Sequence, residues 1–421
     1  MHTTEPGPDY AELAERFTTP LFVYEADEFE RSYTQLRQAL PHGVDIMYSL
    51  KANPNISVCA LLGSLGAGAE VSSHAELVTA LRAGVAPRDI IFLGPGKSDA
   101  ELRACVDAGI AALVCESLEE VERLDALVAR RGSEPFPVML RVNPSFTAKG
   151  QGLAMGGKPR QFGIDERTVR DAKRRLADLT GVRVTGIHAY MGTRFLDHAS
   201  VAANTGRILA LAESLAADLG IGLETVDFGG GLGVAYFAGE SDPDMDLLRR
   251  DMDGVIADFR ERNPHCRLMM ESGRFLTARA GTYVVRVREV KESMGELFAV
   301  ADGGTNHHMA AVGIGSFVKR DFPVRHLGAP DAPPTHRYSV TGPLCTPNDL
   351  IVKKALLPEV RPGDLIGIGR SGAYGPTASP VLFLSHGYPA EVLVHGGGAD
   401  LVRVPDTTED LLGRQRLVRT R

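Results

Sequence analysis

The sequence predicts an α/β fold followed by a β-rich region. Three observations carry this: eight short apolar or β-branched runs, helical periodicity between most of them, and a change of character after about residue 281. The eight runs occupy residues 44–50, 67–73, 90–94, 111–115, 138–143, 184–190, 225–228 and 268–271. Helical spacing fills 99–108, 118–130, 166–179 and 199–219, and Ser117 followed three residues later by Glu120 resembles a helix cap. Such alternation suits a (β/α)8 barrel as well as a doubly wound sheet. In either architecture ligands bind at the strand-end rim, and there the polar or glycine residues Lys51, Ser72, Gly94, Asn143, Tyr190, Gly229, Gly230, Gly231 and Glu271 fall. Beyond residue 281 the runs 283–290, 297–301, 365–369, 381–384 and 391–394 are short, strand-like and separated by Gly/Pro turns, as in a β-rich domain. The proline-rich stretch 327–334 is expected to be an exposed loop.

The chain has 421 residues, 44% hydrophobic and 24% charged, the balance of a globular protein with room for more than one domain. A formal net charge of −7 argues against a general nucleic-acid binder. No stretch approaches the length needed to span a bilayer, and the polar opening segment has no apolar core like that of a signal peptide. Cys59, Cys105, Cys115, Cys266 and Cys345 are scattered and never form C-x-x-C, which suits a reducing, cytoplasmic setting without structural zinc.

Lys51 ends an apolar run. Taken alone it is an ordinary solvated lysine, but if enclosed its amine suits imine chemistry with a carbonyl cofactor. Such a cofactor, if pyridoxal phosphate, needs a phosphate cradle, a group facing the ring nitrogen and a flat contact on the ring. Gly229, Gly230 and Gly231 follow a strand and offer backbone N–H groups as a nest, or simply a flexible turn. Glu271 is a carboxylate suited to a protonated pyridine nitrogen, or one half of a surface pair with Arg274. His188 and Tyr190 alternate on one strand. His307 and His308 follow Asp302, but no H-E-x-x-H pattern supports a metal there, and no G-x-S-x-G elbow supports a hydrolase.

In order and spacing, several stretches strongly resemble the alanine-racemase-fold pyridoxal-phosphate decarboxylases, the family of diaminopimelate and ornithine decarboxylases. These are Tyr48-Ser49-Leu50-Lys51-Ala52-Asn53, Glu70-Val71-Ser72-Ser73, Gly186-Ile187-His188-Ala189-Tyr190-Met191-Gly192-Thr193, Gly229-Gly230-Gly231, Glu271-Ser272-Gly273-Arg274, Cys345-Thr346-Pro347-Asn348-Asp349 and Ser371-Gly372-Ala373-Tyr374-Gly375. The resemblance implies a (β/α)8 TIM-like barrel over 25–280 and a C-terminal β-rich domain over 281–421, joined by the segment 1–24. It implies a head-to-tail homodimer with shared active sites. It assigns pyridoxal 5'-phosphate to Lys51, with Glu271 at the ring nitrogen and further contacts from Glu70, Arg141, Tyr190, Thr193, Gly229, Gly230, Gly231, Gly273, Arg274 and Tyr374. Cys345 matches a proton donor reaching across from the other subunit. His188, His307, His308, Thr346 and Asp349 are the implied substrate contacts.

Three departures from the diaminopimelate pattern bear on the substrate. Tyr190 stands where a ring-stacking histidine is usual. Thr346 replaces the acid after the interface cysteine, and no arginine follows Asp302-Gly303-Gly304 before Arg320. These features, with Met155-Gly156-Gly157-Lys158-Pro159-Arg160-Gln161-Phe162-Gly163 and Gly342-Pro343-Leu344-Cys345-Thr346-Pro347, resemble the glutamyl-carrier-protein decarboxylases of antibiotic biosynthesis. The expected substrate is therefore a carrier-tethered or acylated amino acid, with a free diaminopimelate-like substrate or a non-catalytic pyridoxal-phosphate carrier as alternatives. Docking of an acidic carrier protein would need a basic patch, for which Lys319-Arg320 and Lys353-Lys354 are candidates.

Overall fold

The computed structural model describes residues 7–148, 150, 153–312 and 320–418; Lys319 lies outside them. The chain divides into two units. One comprises Glu30–Ala235 and Ser241–Leu276, the other Met1–Phe29, Tyr236–Glu240 and Thr277–Arg421. Strands are numbered in chain order: β1 (Leu21–Glu25), β2 (Val44–Ser49), β3 (Gly68–Val71), β4 (Ile90–Phe92), β5 (Ala112–Cys115), β6 (Phe136–Asn143), β7 (Val182–His188), β8 (Thr225–Asp227) and β9 (Arg267–Ser272). They continue with β10 (Gly281–Ser293), β11 (Glu296–Ala301), β12 (His336–Thr341), β13 (Leu350–Leu357), β14 (Leu365–Ile368), β15 (Ala390–His395) and β16 (Gly398–Arg403).

In the first unit β2 to β9 are all parallel and close on themselves. β2 pairs with both β3 and β9, and β5 pairs with β6. Closure decides for the (β/α)8 barrel over the open sheet. All eight predicted runs became barrel strands; most of their positions are buried on both faces, as in a strand between a barrel interior and covering helices, although β7 and β8 mix polar residues such as Thr185, His188 and Asp227 into the run. Met47, Leu93, Val114, Met139 and Met269 pack into one interior cluster. The covering helices start where hydroxyl side chains accept their first N–H groups: Ser98 in a capping box with Glu101, and Ser117 from Glu120. The stretch 166–179 forms two short helices, Glu166–Asp171 and Lys173–Ala177. The backbone of Ala172 (φ −83°, ψ 3°) leaves the helical region between them.

The second unit is a β-domain in which β1 lies between β10 (antiparallel) and β15 (parallel). Its apolar seam is built from Tyr10, Leu13, Leu21, Val23, Val284 and Val392. The expected strand at 381–384 does not form. Leu384 and Ser385 take φ of 53° and 60°, a left-handed conformation incompatible with a strand, and Leu382, Phe383 and Leu384 are left exposed. Strands β1, β12, β13 and β16 were not expected, and the 327–334 segment is a loop as anticipated. Among the described residues no helix is long and apolar enough to cross a membrane.

Candidate active site

At the C-terminal end of β2 the chain turns through Leu50–Ala52 and presents Lys51, the position where parallel barrels carry their chemistry. Its Nζ lies 2.9 Å from Glu70 Oε2 at the end of β3 and 3.9 Å from Glu271 Oε2 on β9, with the Tyr190 ring centroid 5.9 Å away. Ser72 Oγ donates to the other oxygen of Glu70 at 3.1 Å, so the carboxylate is oriented from two sides. Three strand ends thus meet around one amine.

Behind the amine lies a buried polar cluster. Glu271 Oε1 is 2.7 Å from His188 Nε2, and His188 is fully enclosed on β7. Burial pushes the Glu271 carboxyl up, but the hydrogen bond from His188 and the charges of Lys51 and Arg141 outweigh it and hold the group below the usual carboxylate range. An ionised Glu271 can only accept, so His188 carries its proton on Nε2. Asp227, at the end of β8 and fully buried, behaves in the opposite way. Burial and the neighbouring Glu271 charge push its carboxyl well above the usual range.

Gly229, Gly230 and Gly231 follow Asp227 and are there for space. A Cβ on Gly230 would sit 1.7 Å from the Glu271 carbonyl oxygen, and one on Gly231 2.0 Å from that of Gly192. Gly229 and Gly231 also have φ of 67° and 93°, which favours glycine. The loop is tied down by Gly229 N–H donating to Asp227 Oδ1 (2.8 Å) and Glu271 N–H donating to the Gly229 carbonyl (2.8 Å). Gly273 lets the Glu271-Ser272-Gly273-Arg274 turn close against the lysine turn, since a Cβ there would lie 2.8 Å from Ala52 Cβ. Arg274 opens a short helix, and Thr193 pairs with Leu153 in a two-residue ladder. Arg141 is buried, held by Glu116 at 2.6 Å with its guanidinium 4.8 Å from the Phe162 ring.

These residues fit pyridoxal phosphate: an amine flanked by carboxylates, an ionised buried acid for a protonated ring nitrogen, a side-chain-free loop for phosphate and an aromatic face at Tyr190. Atoms of His188, Asp227 and Glu271 also lie within 4.8 Å of one another, a donor set a cation could use. The hydrogen bonds already made by Glu271 and Asp227 match the cofactor assignment instead. Sequence reasoning missed Asp227, although it directly precedes the glycine triplet, and it missed Glu116 as the partner of Arg141.

In the second unit Cys345 is exposed, whereas Cys59, Cys105, Cys115 and Cys266 are buried. The loop bearing it is stapled by Asp349, whose Oδ1 accepts from Thr305 N–H (2.7 Å) and Oδ2 from Leu344 N–H (2.8 Å). Both carboxylate oxygens of this expected substrate contact are therefore committed to the backbone, and Thr346 Oγ1 accepts from Asn348 N–H at 3.3 Å. His307 and His308 are buried. His307 Nε2 lies 3.1 Å from the Gly387 carbonyl and Nδ1 3.2 Å from Tyr283 Oη; His308 Nε2 lies 2.8 Å from Ser371 Oγ. Burial lowers the His307 imidazole to about 4, aided by His386 and opposed by the Gly387 carbonyl, and burial lowers His308 to about 3. Tyr374 has φ 55° in the loop that follows Ser371.

Residues 26–278 match the pyridoxal-binding domain of the pyridoxal-dependent decarboxylases. The chain is 35% identical to an L-glutamyl-[BtrI acyl-carrier protein] decarboxylase of Niallia circulans, covering 96% of this chain and 95% of that one. It is 31% identical to a diaminopimelate decarboxylase of Methanothermobacter thermautotrophicus over 99% and 96% of the two chains. A crystal structure of diaminopimelate decarboxylase from M. jannaschii with L-lysine superposes with a TM-score of 0.88 at 26% identity, covering 98% of this chain and 95% of that one.

Glu271→Gln keeps an acceptor for His188 but removes the charge, a loss of about 3 kcal/mol for a charge-assisted bond. Turnover is expected to fall by about 100-fold or more, checked by steady-state kinetics. The two buried imidazoles make a pH prediction. Below the unfolded value of 6.5 the unfolded chain binds protons that His307 and His308 refuse, so stability is full above that pH and falls as pH drops toward about 4 and then 3. Urea unfolding between pH 7 and 4 should show this slope, and a His307→Gln variant should flatten it.

Proposed function

The chain belongs to the pyridoxal-dependent decarboxylases, and from that premise we propose that its substrate is an amino acid whose side-chain carboxyl is tethered to a carrier protein. That it is a pyridoxal-phosphate-dependent amino-acid decarboxylase follows from the family. The observation that supports the finer reading is the absence, on the Cys345 loop, of an acid free to hold a second ammonium: Asp349 is its one acid and both its oxygens accept backbone N–H groups. The first arginine after Gly304, Arg320, is likewise engaged, 3.2 Å from Glu240 and 4.0 Å over the Phe237 ring. A substrate neutral at its far end needs neither anchor, and the Niallia relative is named for such a substrate.

Pyridoxal phosphate would supply an aldehyde that condenses with amines and a ring that accepts the electron pair left by departing carbon dioxide. Lys51 would hold it, Gly230 and Gly231 would cradle its phosphate together with Arg274, and Tyr190 would lie on the ring. Glu70 keeps the Lys51 amine oriented at 2.9 Å, and His188 keeps Glu271 fixed and ionised. The exposed Cys345 thiol would return a proton to the former α-carbon, acting from a second copy of the chain.

The test of the substrate is carbon dioxide release from glutamyl-carrier protein against free glutamate and free meso-diaminopimelate. Turnover of the tethered substrate at a kcat/KM at least about 100-fold above either free amino acid supports the proposal. Preferred turnover of free diaminopimelate overturns it. The shared active site is tested by mixing inactive Lys51→Ala and Cys345→Ala proteins. A head-to-tail dimer regains about a quarter of wild-type activity on exchange, because half the dimers carry one intact site; no recovery means that Cys345 does not act across subunits.

A further inference from the structure

The stretch 153–163 runs along the barrel rim beside Tyr190 and is fastened at three places. At one end Leu153 and Ala154 form a ladder with Thr193 and Gly192, and Met155 N–H donates to the Met191 carbonyl at 3.0 Å. In the middle the Asn143 side chain, at the end of β6, accepts from Gly157 N–H (2.9 Å) and donates to the Lys158 carbonyl (3.1 Å). Gly156 lies so close to Tyr190 that an added Cβ would come within 3.0 Å of its carbonyl oxygen. At the other end Gly163 N–H donates to Glu116 Oε2 at 2.8 Å, while Glu116 Oε1 accepts from Arg141 Nη1 at 2.6 Å. Phe162 sets its ring 4.8 Å from the same guanidinium. Glu116 and Arg141 are both buried, so neither charge can be left without the other except at a high cost.

We propose that Glu116 is a positioning residue for the cofactor, one carboxylate that fixes the Arg141 guanidinium and locks the stretch 153–163 to the rim. Its two oxygens bond to two different elements, β6 and the stretch, so neither element can shift without giving up a bond to a charged acceptor. Arg141 stands beside His188 in the register of β6 and β7, and His188 in turn holds Glu271. The stretch grips Arg141 through Phe162, Tyr190 through Gly156 and Thr193 through Leu153. These are three of the residues assigned to pyridoxal phosphate by resemblance. Glu116 acts on the cofactor only through them, because both of its oxygens are committed to the protein. Loosening at Glu116 is therefore felt at the cofactor and at the rim together.

The inference rests on the cofactor assignment but not on the choice of amino-acid substrate. Glu116→Gln keeps the volume and one acceptor oxygen, and its amide nitrogen cannot accept, so one of the two bonds is lost whichever way the group turns. The readouts are the affinity of apo-protein for pyridoxal phosphate, from titration of the cofactor absorbance, and the rate at which trypsin cuts the apo-protein after the exposed Arg160. That rate follows the population in which the stretch has opened locally. Glu116→Gln should bind at least about tenfold more weakly and be cut at least about tenfold faster. A change in one readout alone, or in neither, overturns the proposal, because one carboxylate is argued to hold both. Should Glu116→Gln fail to fold, Phe162→Leu decides, since it removes the ring over Arg141 at a half-buried position and leaves both Glu116 bonds in place. It should move both readouts by about threefold in the same directions, and a change in fewer than both overturns the proposal. Wild-type protein that binds no pyridoxal phosphate would refute the cofactor assignment instead.

Discussion

A carboxylate kept ionised inside a protein is costly unless donors surround it, and the barrel mouth is organised around that requirement at Glu271. The group is 3% exposed, yet it stays charged because an imidazole N–H lies 2.7 Å from one oxygen and an ammonium 3.9 Å from the other. Those donors come from β7 and from the turn after β2, so the charge persists only if strands far apart in sequence are neighbours in register. Closure of the sheet supplies this: β9 pairs directly with β2, and β8 lies between β7 and β9. The fit of Gly230 against the Glu271 carbonyl follows from the same geometry. No side chain can stand there without pushing the glycine loop off the strand that carries the acid.

Polar groups in the second unit are used differently. Asp349, His307 and His308 are all buried, and each satisfies backbone or neighbouring side chains of its own domain. The two imidazoles are pushed down and stay neutral, as buried bases do without an acid beside them. Asp349 gains two amide donors, and Gly304 and Gly342 press so closely on it that added Cβ atoms would come within 2.3 and 2.5 Å of its oxygens. The loop carrying Cys345 is therefore rigid at its base while the thiol itself is exposed.

This contrast explains what the sequence disclosed. Barrel strands are largely buried on both faces, so most appear as short apolar or β-branched runs ending at a polar or glycine rim residue, and all eight were legible, as were Lys51 and Glu271 at their ends. Strands of the second unit mix exposed and buried positions: β13 places Lys353, Lys354 and Leu356 in solvent, and β16 is largely exposed, so neither is distinct from loop in a single sequence. The run 381–384 failed for the converse reason, because apolar side chains are exposed there on a left-handed turn. Asp349 and the histidine pair read as binding residues because polar side chains in a motif do not reveal which backbone groups they meet. Asp227 is not legible as more than a turn residue, since an acid before glycines reads as a turn, and only the three-dimensional register puts it opposite His188.

The way charge is distributed also bears on how a substrate would be chosen. A free diamino acid would bring a second ammonium into the site, and without an anion to receive it the desolvation of that group would count against binding by several kcal/mol. A thioester-linked side chain is neutral, so on the proposed reading the same site would accept it without such a loss, and the missing acid at Thr346 would serve as a means of discrimination. Discrimination by an absent partner is strong against charged competitors and weak among neutral acyl groups of similar size. Selectivity among tethered amino acids would then have to come from contacts remote from Lys51, made to the arm or the carrier itself. Binding energy of that kind can be used to lower the barrier at the α-carbon only when arm and amino acid are covalently joined, which is why a free amino acid of the same structure would be held loosely and turned over slowly.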